Sequence, residues 1–227
     1  RRQRQMCIRD SLSSISKTYK FENDTYILQT MKRLIIVRHG QTDANVQGKT
    51  QGQIDTDLNK NGLEQAKKTG NYIRKNYSVD ETWVSDLKRT QQTAKEISPV
   101  SVKTNLLREM SFGKWENRLF KEIMDEFPDL VKDYANASDI FKDQDGESFI
   151  DMHERAKNFM KNISWEKETT LIVSHGGFMR VLLTTILSLP RKNLLNFQFE
   201  NCSITEVIKT ENKQPILNKI NFTEHLY

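Results

Sequence analysis

At 227 residues the chain suits one sizeable α/β domain, and neither its Pro and Gly distribution nor any repeat of 20 to 50 residues calls for a second. Its formal net charge is +5, but residues 1–30 hold six Lys/Arg against three Asp/Glu, so the remainder stands near +2 and no nucleic-acid partner is indicated. Two cysteines, Cys7 and Cys202, make no disulfide framework, and the longest apolar stretch, Val181 to Leu189, is too short to cross a bilayer. The expectation is a soluble, cytoplasmic protein with no membrane partner.

Residues 1–30 are rich in Arg, Gln and Ser and show no sustained apolar period, whereas Met31-Lys32 directly precedes the first clear strand. They read as an N-terminal extension, disordered or non-native, and Met31 looks like a natural start; Asp10, Glu22 and Asp24 count against a transit peptide. The run 32–37 is nearly continuously apolar with β-branched residues, the pattern of a strand covered on both faces. Residues 59–76 follow as a helix capped by Asn59, with Leu63, Ala66, Thr69, Gly70 and Ile73 along one face. Glu81 to Ser85 reads as a short strand, Leu87 to Ile97 as a helix that Pro99 ends, and Ser101 to Leu107 as extended.

The charged, aromatic-rich region 112–146 reads as a lid or rim insertion, with a short helix at Leu119 to Phe127 stopped by Pro128. Residues 147–163 form the clearest amphipathic helix, whose stripe of Phe149, Met152, Ala156, Phe159, Met160 and Ile163 is core; His153 beside it is a surface or packed residue. Strand 169–174 and helix 177–188 make another strand-helix unit, and Phe197 to Ile208 with Ile216 to Phe222 supply edge strands around an Asn-Lys-Gln-Pro turn. Alternating strands and helices call for an α/β fold with helices on both faces of a largely parallel sheet.

Two of these strands end alike, in Arg38-His39-Gly40 and in Ser174-His175-Gly176. Ligands of open α/β sheets bind beyond the carboxyl ends of the strands, so two such strands can bring both imidazoles into one pocket. Glycine after each histidine allows a sharp turn and close approach of an anion, and Arg38 supplies a planar donor for phosphate or carboxylate. A neutral imidazole whose other nitrogen is held can attack phosphorus, which suits His39 as nucleophile. Guanidinium and imidazolium donors stabilise the charge on the three non-bridging oxygens, and Arg38, Arg89 and His175 are the candidates. Arg89 by itself reads as a solvated residue of a helix's first turn; its place just after Ser85-Asp86 is what aims it inward. A leaving alkoxide needs a proton from a carboxyl group, and Glu109 and Glu116 both lie in an aromatic, glycine-containing loop. Spacing does not choose between them.

Arg38-His39-Gly40-Gln41-Thr42 with Asn45, then Gly52, Asp55, Leu58, Gly62, Gln65 and Ala66, then Ser85 to Thr90 with Thr93-Ala94, then Glu109 with Phe112-Gly113 and Trp115-Glu116, then Ser174-His175-Gly176-Gly177, resemble the histidine phosphatase superfamily in that family's order. The resemblance covers roughly residues 31–180 and implies a phosphatase domain over 31–227, a three-layer α/β/α sandwich with a mixed, mostly parallel sheet (the phosphoglycerate mutase-like fold), and no metal or other cofactor. It implies His39 as phosphorylated nucleophile, Glu109 as proton donor and acceptor, and Arg38, Asn45, Arg89 and His175 as the phosphate pocket, with Thr42 and Gly176 beside them.

Glu109 runs directly into Phe112-Gly113-Lys114-Trp115-Glu116, without the longer segment of the mutase members, so the resemblance favours phosphatase members such as α-ribazole phosphatase and the broad-specificity phosphatases. Asp57 stands where many relatives have proline. The expected activity is metal-independent hydrolysis of a small phosphorylated metabolite; the alternatives are a cofactor-dependent phosphoglycerate mutase and a non-catalytic phosphate-binding module. Intact His39, Glu109 and His175 speak against the last. Lys114, Arg118 and Lys121 are rim charges that could meet an anionic substrate but read first as solvated, and a homodimer is a permitted assembly.

Overall fold

The computed structural model describes residues 31–138, 145–163, 165–211 and 213–227, together with two short strands, β1 (Lys20–Phe21) and β2 (Asp24–Thr25), which pair antiparallel with each other. The rest of the expected 1–30 extension lies outside the described residues, as do 139–144 of the 112–146 insertion.

A six-stranded sheet organises the chain, with β3 (Met31–Arg38), β4 (Glu81–Ser85), β5 (Val102–Thr104), β6 (Thr169–Ser174), β7 (Ile204–Thr210) and β8 (Ile216–Phe222) in the spatial order β5-β4-β6-β3-β7-β8. The pairs from β5 to β3 are parallel, and β7 and β8 add antiparallel. Side chains alternate across a strand, so Leu34, Ile36 and Ile172 enter the core on one face while Ile35, Val37, Leu171 and Val173 enter the core on the other. Both faces of β3 and β6 are therefore covered, which is why they read as unbroken apolar runs. On one face lie α2 (Lys60–Asn76) and α3 (Lys88–Ile97), through Ile73, Ala94 and Ile97; on the other lie α6 (Phe149–Met160) and α7 (Gly176–Ile186), through Phe159, Phe178 and Leu182. The result is the three-layer α/β/α arrangement, with a short α1 (Asp43–Gln47) after the first crossing point. No helix among the described residues is long and apolar enough to cross a membrane.

Four expectations need correction. Leu63 is 45% exposed; the buried face of α2 is Gly62, Ala66, Thr69, Gly70 and Ile73, because the helix backbone at Gly62 presses on Gln41 where a side chain would collide. The extended stretch 101–107 is strand only over β5 and closes in a 3₁₀ turn at Asn105–Leu107. Pro128 ends nothing by itself: α4 (Phe120–Glu126) stops one residue short of Phe127, and Pro128 opens α5 (Pro128–Ala135), where a residue without an N–H is tolerated. The strand expected from Phe197 begins only at Ile204, and β7 lies inside the sheet, leaving β8 as the edge. Residues 197–203 instead turn under the end of β3, where the N–H of Cys202 is shared by the carbonyls of Arg38 (3.1 Å) and His39 (3.2 Å). Burial pushes the Cys202 thiol up to about 12, so it is inert; Cys7 lies outside the described residues.

The insertion is integral to the fold. Trp115, Ile123 and Ala137 are buried in the same core as α6 and α7. The segment 117–120 is tied to the loop after α1 by the N–H of Asn117 to Thr50 O (2.7 Å), Thr50 N–H to Arg118 O (3.0 Å) and Phe120 N–H to Gly48 O (3.1 Å).

Candidate active site

Register brings the two histidines together. Strands β3 and β6 are parallel neighbours with Arg38 beside Ser174, and the N–H of His39 donates to Ser174 O at 2.9 Å, so both chains leave the sheet at one point. The imidazole centroids lie 5.2 Å apart. Strand β4 flanks β6 on its other side, which puts Ser85 and the first turn of α3, with Arg89, against His175.

His39 is 3% exposed, and its Nδ1–H donates to the carbonyl of Gly40 at 2.7 Å. That bond fixes the tautomer and leaves the Nε2 lone pair toward the cavity. Burial, followed by the Arg89 and Arg38 charges, holds the ring well below the usual histidine range despite the Gly40 carbonyl, so it is neutral.

Arg89 is 1% exposed and every nitrogen is used: Nη1 donates to Ile54 O (2.7 Å), Nη2 to Gly52 O (2.8 Å) and Nε to His175 Nδ1 (3.2 Å). Burial brings its pKa down to about 10, opposed by Glu109 and Asp55, and it keeps its charge at neutral pH. The solvated-helix alternative for this residue is thereby removed. Arg38 donates Nη1–H to Phe199 O (2.7 Å), while its buried Nε–H has no acceptor among the described residues. A side chain at position 176 would press on that Nε, so Gly176 gives the guanidinium its room.

His175 is fully buried, and because Nδ1 accepts from Arg89, Nε2 carries the hydrogen and donates to Ser85 Oγ at 2.9 Å. Burial and the charge of Arg89 hold it well below the usual histidine range. The imidazolium expected here is replaced by a neutral ring that buttresses Arg89.

The two candidate carboxylates separate cleanly. Glu109 faces the cavity, and its carboxylate accepts N–H bonds from Met110 and Phe178 on Oε1 and from Gly177 on Oε2, each at 2.9 Å. The start of α7 is thus aimed at an anion, as helix N-termini favour. Glu116 points elsewhere, binding the N–H groups of Gln53 (2.9 Å) and Phe112 (3.1 Å), and packs against Gly52, whose φ of +53° suits glycine.

Arg38, His39, Asn45, Arg89 and Glu109 share the wall of a cavity of about 240 Å³. Asn45 Oδ1 accepts from Thr42 N–H (3.1 Å) and from Asn201 Nδ2 (3.2 Å). Thr42, His175 and Gly176 do not reach the wall. Thr42 is fully buried as the cap of α1, its hydroxyl bonded to Asn45 and Gln51. The remaining wall is the loop 48–52 with Phe112, Phe120 and Tyr134, residues that sequence reasoning did not assign to a site. Asn201 was also missed: its Nδ2 donates to His39 O at 3.1 Å from a loop that no local pattern marks. Lys114 and Lys121 are exposed, and Arg118 pairs with Glu126; none of them lines the cavity.

Comparison with known proteins agrees with this geometry. Residues 34–223 match the profile of the histidine phosphatase superfamily (branch 1). Phosphoserine phosphatase 1 of Hydrogenobacter thermophilus is 30% identical over 203 residues, 86% of this chain and 95% of that protein. The probable phosphoglycerate mutase GpmB of Yersinia pestis is 32% identical over 185 residues, 78% of this chain and 85% of that one. A phosphoserine phosphatase from Entamoeba histolytica, solved with 3-phosphoglyceric acid, superposes with a TM-score of 0.77 at 28% identity, covering 86% of this chain and 100% of its own. The chain belongs to the histidine phosphatase superfamily, branch 1, and its fold and relatives make it a histidine-type phosphomonoesterase.

Proposed function

We propose that the protein hydrolyses small phosphate monoesters in two steps through a phosphohistidine on Nε2 of His39. In the first step the Nε2 lone pair forms the P–N bond as the P–O ester bond breaks, and the leaving alkoxide takes a proton from the Glu109 carboxyl. In the second, water attacks phosphorus, its proton passes to Glu109, and the P–N bond breaks to restore the imidazole and release inorganic phosphate. Among the described residues Oε1 of Glu109 accepts two N–H bonds and Oε2 one, so Oε2 keeps the lone pair for the travelling proton. Arg38 and Arg89 face the transferring oxygens, Asn45 adds an amide donor, and His175 acts through Arg89. No step in this sequence calls on a metal.

The observation that carries the reading is the neutral His39, tethered at Nδ1, between two guanidiniums and across the cavity from a carboxylate. Phosphoserine is the first substrate to test, since two of the relatives bear that activity in their names. Lys49 supports this choice: it is half-buried on the wall and has no acidic partner among the described residues, so it can meet a substrate carboxylate.

With a chelator present, the purified protein is expected to release phosphate from p-nitrophenyl phosphate and phosphoserine, and His39→Ala to release none. Unchanged turnover in that variant ends the reading. Lys49→Met should raise KM for phosphoserine and leave that for phosphoethanolamine, which lacks the carboxylate, near its starting value. The mutase-named relative favours a second reading, in which interconversion of phosphoglycerates, primed by the bisphosphate, outpaces phosphate release.

A further inference from the structure

Arg155 lies on α6 behind the cavity wall, and the two-step reaction makes no use of it. Its side chain is only 13% exposed, yet it is bound on every nitrogen. Nη1 donates to the carbonyls of Leu106 (3.1 Å) and Arg108 (2.6 Å), and Nη2 donates to the carbonyl of Glu109 itself (3.2 Å). Nε and Nη2 also grip the Glu147 carboxylate in a two-pronged pair at 2.9 and 2.8 Å. Glu147 in turn accepts the N–H of Ser111 (2.9 Å) and donates its own N–H to Ser111 O (2.8 Å). The backbone on both sides of Glu109 is therefore clamped to one ion pair.

The other support of the Glu109 carboxylate is the first turn of α7, and Arg155 reaches that as well. Its guanidinium carbon lies 4.5 Å over the ring of Phe178, whose backbone N–H donates to Glu109 Oε1. One side chain thus fixes the distance between the loop that carries the carboxyl and the helix end that holds it. Five donors in a planar fork can serve three carbonyls and a carboxylate together; an ammonium group cannot.

We infer that Arg155, anchored by Glu147, is a positioning residue that sets the Glu109 carboxyl for proton transfer. It touches no reacting atom. The inference rests on the reading of Glu109 as proton donor and acceptor.

The test compares Arg155→Lys with Glu109→Gln in single-turnover phosphorylation of His39 by phosphate monoesters whose leaving groups range from p-nitrophenol through phenol to the alcohol of phosphoserine. Misplacing a catalytic group by about 1 Å costs about 10²-fold. Arg155→Lys is therefore expected to lose about 10²-fold with phosphoserine and far less with p-nitrophenyl phosphate. The leaving-group dependence should steepen as it does in Glu109→Gln, with vanadate affinity unchanged. Equal losses on all three esters, where Glu109→Gln does steepen, would overturn the inference and leave a merely structural residue. A flat dependence in Glu109→Gln would instead remove Glu109 as the acid, and the inference with it. Should Arg155→Lys fail to fold, Glu147→Gln, which weakens the anchor without changing its size, is read by the same slope and decides in the same way.

Discussion

The backbone N–H of Gly177 donates to Oε2 of Glu109 at 2.9 Å, and a methyl group on Gly177 would stand 2.5 Å from Oε1 of the same carboxylate. The glycine is needed for closeness: no side chain fits between the start of α7 and the carboxyl it holds. Gly177→Ala is expected to leave the melting temperature nearly unchanged, since the displaced atoms belong to one side chain. The rate on an alkyl phosphate should nevertheless fall by about 10²-fold or more, the range of a lost general acid. Circular dichroism melts beside steady-state kinetics check this, and a wild-type rate in a folded Gly177→Ala would show that the carboxyl needs no such placement.

Arg89 offers a second separation of charge from geometry. Lysine keeps the charge but cannot bind Gly52 O, Ile54 O and His175 Nδ1 at once, so the Arg89→Lys site loses its planar fork. Its kcat is expected to drop by about 10² to 10³-fold, as for removal of one transition-state donor. Vanadate should bind more weakly in parallel. Near-normal turnover would mean that the fork serves the loop at 52–54 and not the phosphoryl group.

Acid should destabilise the protein through its histidines. All four are held below the usual value of 6.5, chiefly by burial: His39 and His175 well below it, His153 to a lesser degree, and His225 down to about 4. Below pH 6.5 the unfolded chain therefore takes up protons that the folded chain refuses, and stability falls with pH until the folded pKa values are passed. Each histidine contributes at most about 1.4 kcal/mol per pH unit, and the fully buried pair His39 and His175 should dominate. Thermal melts are expected to be level above pH 7 and to decline steadily from about pH 6.5 to 5. A level profile across that interval would contradict the neutral assignment of the pair.

Much of this was legible in the chain itself. Strands β3 and β6 declared themselves because burial on both faces demands uninterrupted apolar residues, and the two His-Gly ends located the site because the chain must turn sharply there. Helices α2 and α6 showed in their apolar period, with Asn59 as the cap of α2, and α3 in the stop that Pro99 imposes. The errors fell where a pattern has two readings. Pro128 reads as a helix stop but opens α5, and the stretch before Ile204 is a turn beneath β3 because its backbone satisfies the carbonyls of Arg38 and His39.

Composition and local pattern were enough to determine an α/β chain with a pair of histidines at strand ends, since those signals arise from neighbours in sequence. Only the tertiary structure decided which partners those groups have. Parallel pairing of β3 with β6 set the rings 5.2 Å apart; Arg89 made His175 a neutral support in place of an imidazolium. The first turn of α7 holds the carboxylate of Glu109 at the cavity, while Glu116 binds the N–H groups of Gln53 and Phe112. Asn201 and Arg155 entered from loops and helices remote in sequence. Hydrogen-bond partnership at a buried site is a property of distances between segments, and those distances exist only once the sheet has formed.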